Sequence, residues 1–224
     1  MSLIESLALF PLSDVVLLPE VSVPLYIFEP RYRQLAKEVL SGSHQIGMVT
    51  VRPDSLHEMA GDPPIFEVGC LGRVGHAQER PDGTYQVMLV GESRFRILEE
   101  DTRGPDQLYR SARVELIPDL APQTQSDIET LQQSRSELLG LLERLIQNTG
   151  ANEDPRKAMD SLAQLESPRL VNALTQSISF SPIERQQLLE ADSILGRFET
   201  MGDLLRFRLA ELGSGESSSN TLLN

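Results

Sequence analysis

With 224 residues, 40% of them apolar, the chain is long enough to bury a core in one large domain or two small ones. Its formal charge of −13 opposes binding to a phosphate backbone, and no basic domain offsets an acidic one: 11 basic and 18 acidic residues precede position 120, with 9 and 15 beyond it. One cysteine excludes an internal disulfide, no stretch reaches the roughly 18 apolar residues of a membrane span, and the opening MSLIESLALF lacks a basic start, so a soluble cytoplasmic protein is expected, without nucleic acid or membrane as partner.

Residues 1 to about 118 read as strands, because short apolar runs (Val15 to Leu18, Val23 to Phe28, Ile46 to Val51) are bounded by Pro, Gly, Asp and Ser. Prolines 11, 19 and 24 lack a backbone donor and confine their segments to sheet edges, strand starts or bulges. Pro30 suits the first turn of a helix near 30–41, where Glu29 can hold exposed amides and Tyr32, Leu35, Ala36, Val39 and Leu40 form an inward face. Residues 68 to 100 then read as a long hairpin turning at Asp82-Gly83, a pair that favours a type I′ turn. Glycines at 47, 69, 72, 75 and 91 permit bends that let a small sheet close, and a last strand spans Leu108 to Ile117.

From residue 123 to 212 the pattern is helical. Ile128, Leu131, Leu138, Leu142 and Leu145 form one apolar stripe, interrupted at Arg135, of a helix of about 22 residues. The interruption argues for packing on the chain itself, with a homodimer as the alternative. After NTGANEDP, residues 148 to 155, helix signals return in three pieces, two of them opened by a cap-and-proline pair, Ser167-Pro168 and Ser181-Pro182. The tail, 213–224, has no periodicity and is expected to be disordered.

Candidate chemistry is sparse. His44, His57 and His76 have no ligand-like spacing, and Cys70 in VGCLG reads as a core thiol. Glu99-Glu100-Asp101 reads as solvated surface. In Arg94-Phe95-Arg96, strand alternation points Phe95 inward and both arginines outward, to pair with the surplus of acids. The dense cluster Phe28, Glu29, Arg31, Tyr32 and Arg33 has two readings. It fixes a strand-to-helix corner, which is the commoner use, or it clasps an extended peptide at a sheet edge, which makes these five the candidate peptide-binding residues.

LFPLSDVVLLPEVSVPLYIFEPRYRQL at 9–35, IGMV at 46–49, VGCLGRV at 68–74, DGTYQVMLVGESRFRI at 82–97 and YRSARV at 109–114 resemble, in order and spacing, the N-terminal domain of the Lon protease family. SPRLVNALTQSISFSPIERQQLLEADSILGRFETMGDLL is similar to the helices that follow it, extending the resemblance to about residue 212. The resemblance implies an α+β architecture, a PUA-like β pseudo-barrel followed by an all-α helical subdomain. It also implies a region that recognises unfolded or degron-bearing polypeptides and performs no chemistry. The two lysines, Lys37 and Lys157, lack the flanking glycine and Ser/Thr of a P-loop, and no serine sits in the family's Ser-Lys peptidase motif. The expectation is therefore a stand-alone, non-catalytic binding module without cofactor or metal, whose partners are unfolded polypeptide and a protease or chaperone. The alternatives are a PUA-like RNA-binding protein, which the acidity opposes, and a small-molecule binder using a cleft between barrel and helices.

Overall fold

A computed structural model describes residues 2–59, 61–149 and 155–213. The chain divides into two compact units, Met1–Pro118 and Asp119–Asn224. The first carries β1 (Leu3–Leu12), β2 (Ser22–Ile27), helix α1 (Pro30–Ser41), β3 (Gln45–Thr50), β4 (Val68–Glu79), β5 (Tyr85–Glu100) and β6 (Arg110–Ile117). The strand order is β2-β5-β4-β3-β1-β6, and β6 also pairs with β5, so five strands close a ring to which β2 is added. β5 serves two neighbours in turn: Tyr85 to Val90 pair with β2, while Arg94 to Glu100 pair with β6. Among the described strands only β1 and β3 pair in parallel. Leu7, Leu9, Val49, Leu71, Phe95, Ala112 and Val114 fill one core of the ring.

The sequence places a strand at Val15 to Leu18, and the structure corrects this. These residues are irregular chain, with Val16, Leu17 and Leu18 buried. The segment ends in a turn in which Val21 N–H donates to Leu18 C=O at 3.3 Å, with Pro19 at the second position and Glu20 at the third with φ +62°. That is the pattern of a type II turn, whose third position favours glycine. Glu20 N–H donates to Gly91 C=O at 2.9 Å and Gly91 N–H to Val21 C=O at 2.8 Å, so the turn runs into a bulge that starts β2. Glu20→Gly is expected to raise stability by roughly 0.5 kcal/mol, the relief of a left-handed L-residue less the extra entropy of glycine in the unfolded chain; urea unfolding measures it.

The hairpin forms where expected, but its turn differs from type I′. Asp82 does not have the positive φ that type I′ demands, and Gly83 alone does, at +75°. Pro81 presets the second position of a turn spanning Arg80 to Gly83, closed by Gly83 N–H to Arg80 C=O at 2.9 Å. Asp82 Oδ1 accepts from Thr84 N–H at 3.0 Å and Thr84 Oγ1–H at 2.7 Å, and those bonds hold its carboxyl below the ordinary carboxylate range. Arg94 is a second correction: Phe95 is inward as expected, but Arg94 is also buried. Both faces of the sheet are covered at this level, for Cys70, its register partner on β4, is buried too.

The second unit holds α2 (Gln125–Thr149), α3 (Pro155–Ala163), α4 (Ser167–Ser177), α5 (Pro182–Glu190) and α6 (Ile194–Gly213). Four described helices therefore follow α2 where the sequence suggests three. Leu131, Leu138, Leu142 and Leu145 of the predicted stripe pack in its core, while Ile128 is exposed. Arg135, the gap in that stripe, donates to the carbonyls of Ala163 at 2.8 Å and Leu165 at 2.7 Å and to Ser167 Oγ at 3.2 Å, so it closes the C-terminal end of α3. Ser167 accordingly is not a cap; the N-cap position of α4 is Glu166, without a side-chain bond. Ser181 does cap α5, exchanging bonds with Glu184 in a capping box. Arg197 is fully buried and forms a two-pronged pair with Asp119, at 2.9 and 3.2 Å, while also donating to Asn172 Oδ1 at 2.8 Å and Leu188 C=O at 3.0 Å. The predicted disordered tail lies, from residue 214 on, outside the described residues. No described helix is long and apolar enough to cross a membrane.

Candidate functional site

The five predicted site residues sit at one corner of the barrel unit, but only part of the set faces solvent. Strand alternation on β2 buries Val23, Leu25 and Ile27 and turns Pro24 and Tyr26 outward, with Phe28 continuing the outward series. Tyr26 is 50% exposed and Phe28 59% exposed, and their rings stack at 5.9 Å with 29° between planes. Tyr32, by contrast, is 4% exposed, packs on Phe10 at 4.3 Å, and sends its hydroxyl toward Pro11 C=O at 3.4 Å. Burial pushes its hydroxyl pKa up.

The charged members of the cluster are engaged locally. Pro30 takes the first helical turn as the sequence suggests, but Glu29 makes no side-chain cap bond to the amides. Its carboxylate instead accepts from Arg31 Nε at 3.0 Å. Arg31 also donates to Met59 C=O at 2.7 Å and Gly61 C=O at 2.8 Å and lies over the Tyr32 ring at 4.6 Å, so it fastens Met59 and Gly61 to α1. Arg33 reaches the hairpin tip, where a Cβ on Gly83 would lie 2.2 Å from its Nη2. Glycine at 83 thus serves both the positive φ and this close approach.

α1 grips a further loop through Gln34, which accepts from Leu108 N–H at 2.8 Å and donates to Asp106 C=O at 2.9 Å. Tyr109 O–H donates to Glu38 at 2.5 Å. Burial first, and then that bond to a carboxylate, raise the Tyr109 pKa to about 12. The folded state therefore holds this proton more tightly than the unfolded chain does. Its stabilising effect is complete below the ordinary tyrosine pKa of about 10 and is lost as pH climbs from there to about 12. Tyr32 and Tyr85 are also held above the ordinary value by burial, so an ultraviolet titration of Tyr109→Phe is expected to lose one late-ionising tyrosine and keep the others.

Sequence reasoning missed four residues that complete the exposed face, Tyr26 first among them. Pro24 and Met88 are register partners on β2 and β5, and Met88 is 38% exposed. Arg80, at the hairpin turn, places its guanidinium 5.6 Å from the Tyr26 ring. The result is a layered arrangement of Arg80, Tyr26 and Phe28, bordered by Pro24 and Met88 and flanked along the strands by Gln86 and His76, the partners of Tyr26 and Met88. The signal was present as alternation, in SVPLYIF through its first, third, fifth and seventh members and in YQVML through its second and fourth, which point outward. The register that joins the two strands is not readable from either alone.

Cavities offer less. Beside Arg31 and Tyr32 a space of about 10 Å³ has room for one water. Between α2 and α6 a groove of about 300 Å³ is rimmed by Glu137, Glu199, Asp203 and Arg206, with Arg206 pairing both Glu137 and Asp203. Among the described residues no three His, Cys, Asp or Glu side chains gather to hold a metal ion.

Residues 6–206 match the family described as the ATP-dependent protease La (LON) substrate-binding domain. Lon protease 2 of Syntrophobacter fumaroxidans is 29% identical over 187 residues, which is 83% of this chain and 22% of that protein. Lon protease of Parabacteroides distasonis is 29% identical over 192 residues, again 83% of this chain and 22% of that protein. The chain thus spans about a quarter or less of these relatives. Among solved structures, the N-terminal domain of Mycobacterium avium complex Lon protease superposes with a TM-score of 0.68 at 18% identity, covering 90% of this chain and 98% of that one. A Lon N-terminal domain protein from Xanthomonas campestris gives 0.59 at 23% identity, covering 91% and 99%.

Proposed function

Because the chain belongs to the LON substrate-binding domain family, we propose that it is a non-catalytic recognition module that holds unfolded or degron-bearing polypeptide segments on the outer face of β2 and β5. The exposed Tyr26–Phe28 stack carries this reading. Two aromatic rings, a proline and a methionine left open to water on adjacent strands form an apolar patch that a monomer does not otherwise need. Aromatic rings are rigid and bury much area at low entropic cost, while methionine adapts its shape, a combination suited to segments of varied sequence.

Within the predicted cluster, Phe28 makes the contact. Glu29, Arg31 and Tyr32 position it by fixing the turn from β2 into α1, and Arg33 reaches from that helix to the tip of the hairpin bearing Arg80. The partners are unfolded chains and the protease or chaperone that receives them.

Fluorescence anisotropy with a permanently unfolded, reduced and alkylated protein tests the reading. Tyr26→Ala combined with Phe28→Ala is expected to weaken binding about 10- to 30-fold, as loss of a central aromatic anchor does. Met88→Lys should weaken it further, and circular dichroism should be unchanged because all three side chains are exposed. Undiminished binding by these variants, or no binding by the intact chain, overturns the proposal.

A further inference from the structure

β2 pairs with β5 alone among the described residues, which leaves its second edge open. The bond from Gly91 N–H to Val21 C=O sets the phase of the ladder. In an antiparallel pair, residues in the bonded phase alternate with residues whose N–H and C=O point the other way. With the observed register, Val23, Leu25 and Ile27 bond to Leu89, Val87 and Tyr85. Ser22, Pro24 and Tyr26 therefore direct their backbone groups away from β5, and these same three residues carry the outward side chains.

From this coincidence, and resting on the recognition role proposed above, we infer that a client segment binds as an extra antiparallel strand on the free edge of β2. Ser22 and Tyr26 each offer a donor and an acceptor, and Pro24 offers an acceptor alone. Only another extended polypeptide matches such a row, and main-chain bonds serve any sequence. Residues of the added strand that bond to Ser22, Pro24 and Tyr26 lie with their side chains on the same face as Tyr26 and Met88, so the client alternates apolar residues toward the patch. A second copy of this chain fits less well. Its own Pro24 would remove a further donor, so a symmetric edge-to-edge pair forfeits two bonds where a client forfeits one.

The test uses a fluorescent peptide alternating valine and threonine over the length of β2, and two N-methylated versions of it. Valines facing the patch have their amides directed at β2. N-methylation of the valines is expected to weaken binding at least tenfold, and N-methylation of the threonines to change it less than twofold. Nuclear magnetic resonance exchange should show the Ser22 and Tyr26 amides becoming protected when the parent peptide binds, with Val23, Leu25 and Ile27 protected throughout. Loss confined to the threonine set, equal behaviour of both sets, or a parent peptide that fails to bind overturns strand addition. So does a dimer by light scattering in which the two amides are already protected. The recognition role itself falls separately, if the unfolded protein of the preceding test fails to bind.

Discussion

Arg197→Ala is expected to lower the stability of the helical unit by about 3–5 kcal/mol, the cost of breaking a buried ion pair by removing one partner. Arg197 is fully buried and spends its guanidinium on Asp119, Asn172 and the Leu188 carbonyl. Its loss takes a charged donor from each of these groups, two of which belong to the buried residues Asn172 and Leu188. Asp119 is the first residue of this unit, so the pair also pulls the start of the unit into its core. Asp119→Asn should cost less, because the amide oxygen still accepts one bond from the guanidinium, which also keeps Asn172 and the Leu188 carbonyl. Urea unfolding followed by far-ultraviolet circular dichroism measures both, and equal small effects from the two variants would contradict the account. A paired replacement, Arg197→Met with Asp119→Leu, should recover part of the loss, since apolar groups leave no buried charge unmatched.

Gly91→Ala is expected to cost about 3 kcal/mol in the barrel unit, at the upper end of what overpacking causes. A Cβ there would lie 2.0 Å from the Leu18 carbonyl oxygen, 2.8 Å from its carbon and 3.2 Å from Pro19 Cα. All three are backbone atoms, which no change of rotamer can move. The chain from Leu18 to Val21 must lift, releasing both bonds of the bulge and loosening the buried Leu17 and Leu18. β2 begins at this bulge, so the same variant should also weaken the polypeptide binding proposed above, although Gly91 lies outside the β2–β5 register that forms the patch. Gly75→Ala is the control: its Cβ would meet one Val90 methyl at 3.3 Å, which a shift of a few tenths of an ångström relieves, and a change below about 1 kcal/mol is expected.

These two positions also show how far the residues speak for the fold. Short-range chemistry is legible: Pro30 opens α1, Ser181 caps α5 with Glu184, and the 68–100 hairpin reverses near Gly83. Competition between local signals is harder. Asp82-Gly83 suggests one turn, yet Pro81, one residue earlier, presets a different one that Gly83 completes. Val15 to Leu18 has strand composition but buries its side chains as irregular chain, whereas β1 carries Glu5 and Ser6 and an irregularity between Ile4 and Leu7 that breaks the expected alternation. The candidate site divides along the same line. Phe28 is legible as part of a conspicuous cluster, but Tyr32 in that cluster is core. Met88 and Arg80 reach the patch only through pairing across strands.

The closing of the ring by β1 against β6 has a consequence for synthesis. Leu3 pairs with Glu115 and Leu9 with Arg110, so the first strand made must wait for the last one of its unit. At a ribosome adding on the order of 5–20 residues each second, that interval lasts several seconds, during which the nascent β1 has no permanent neighbour on that side.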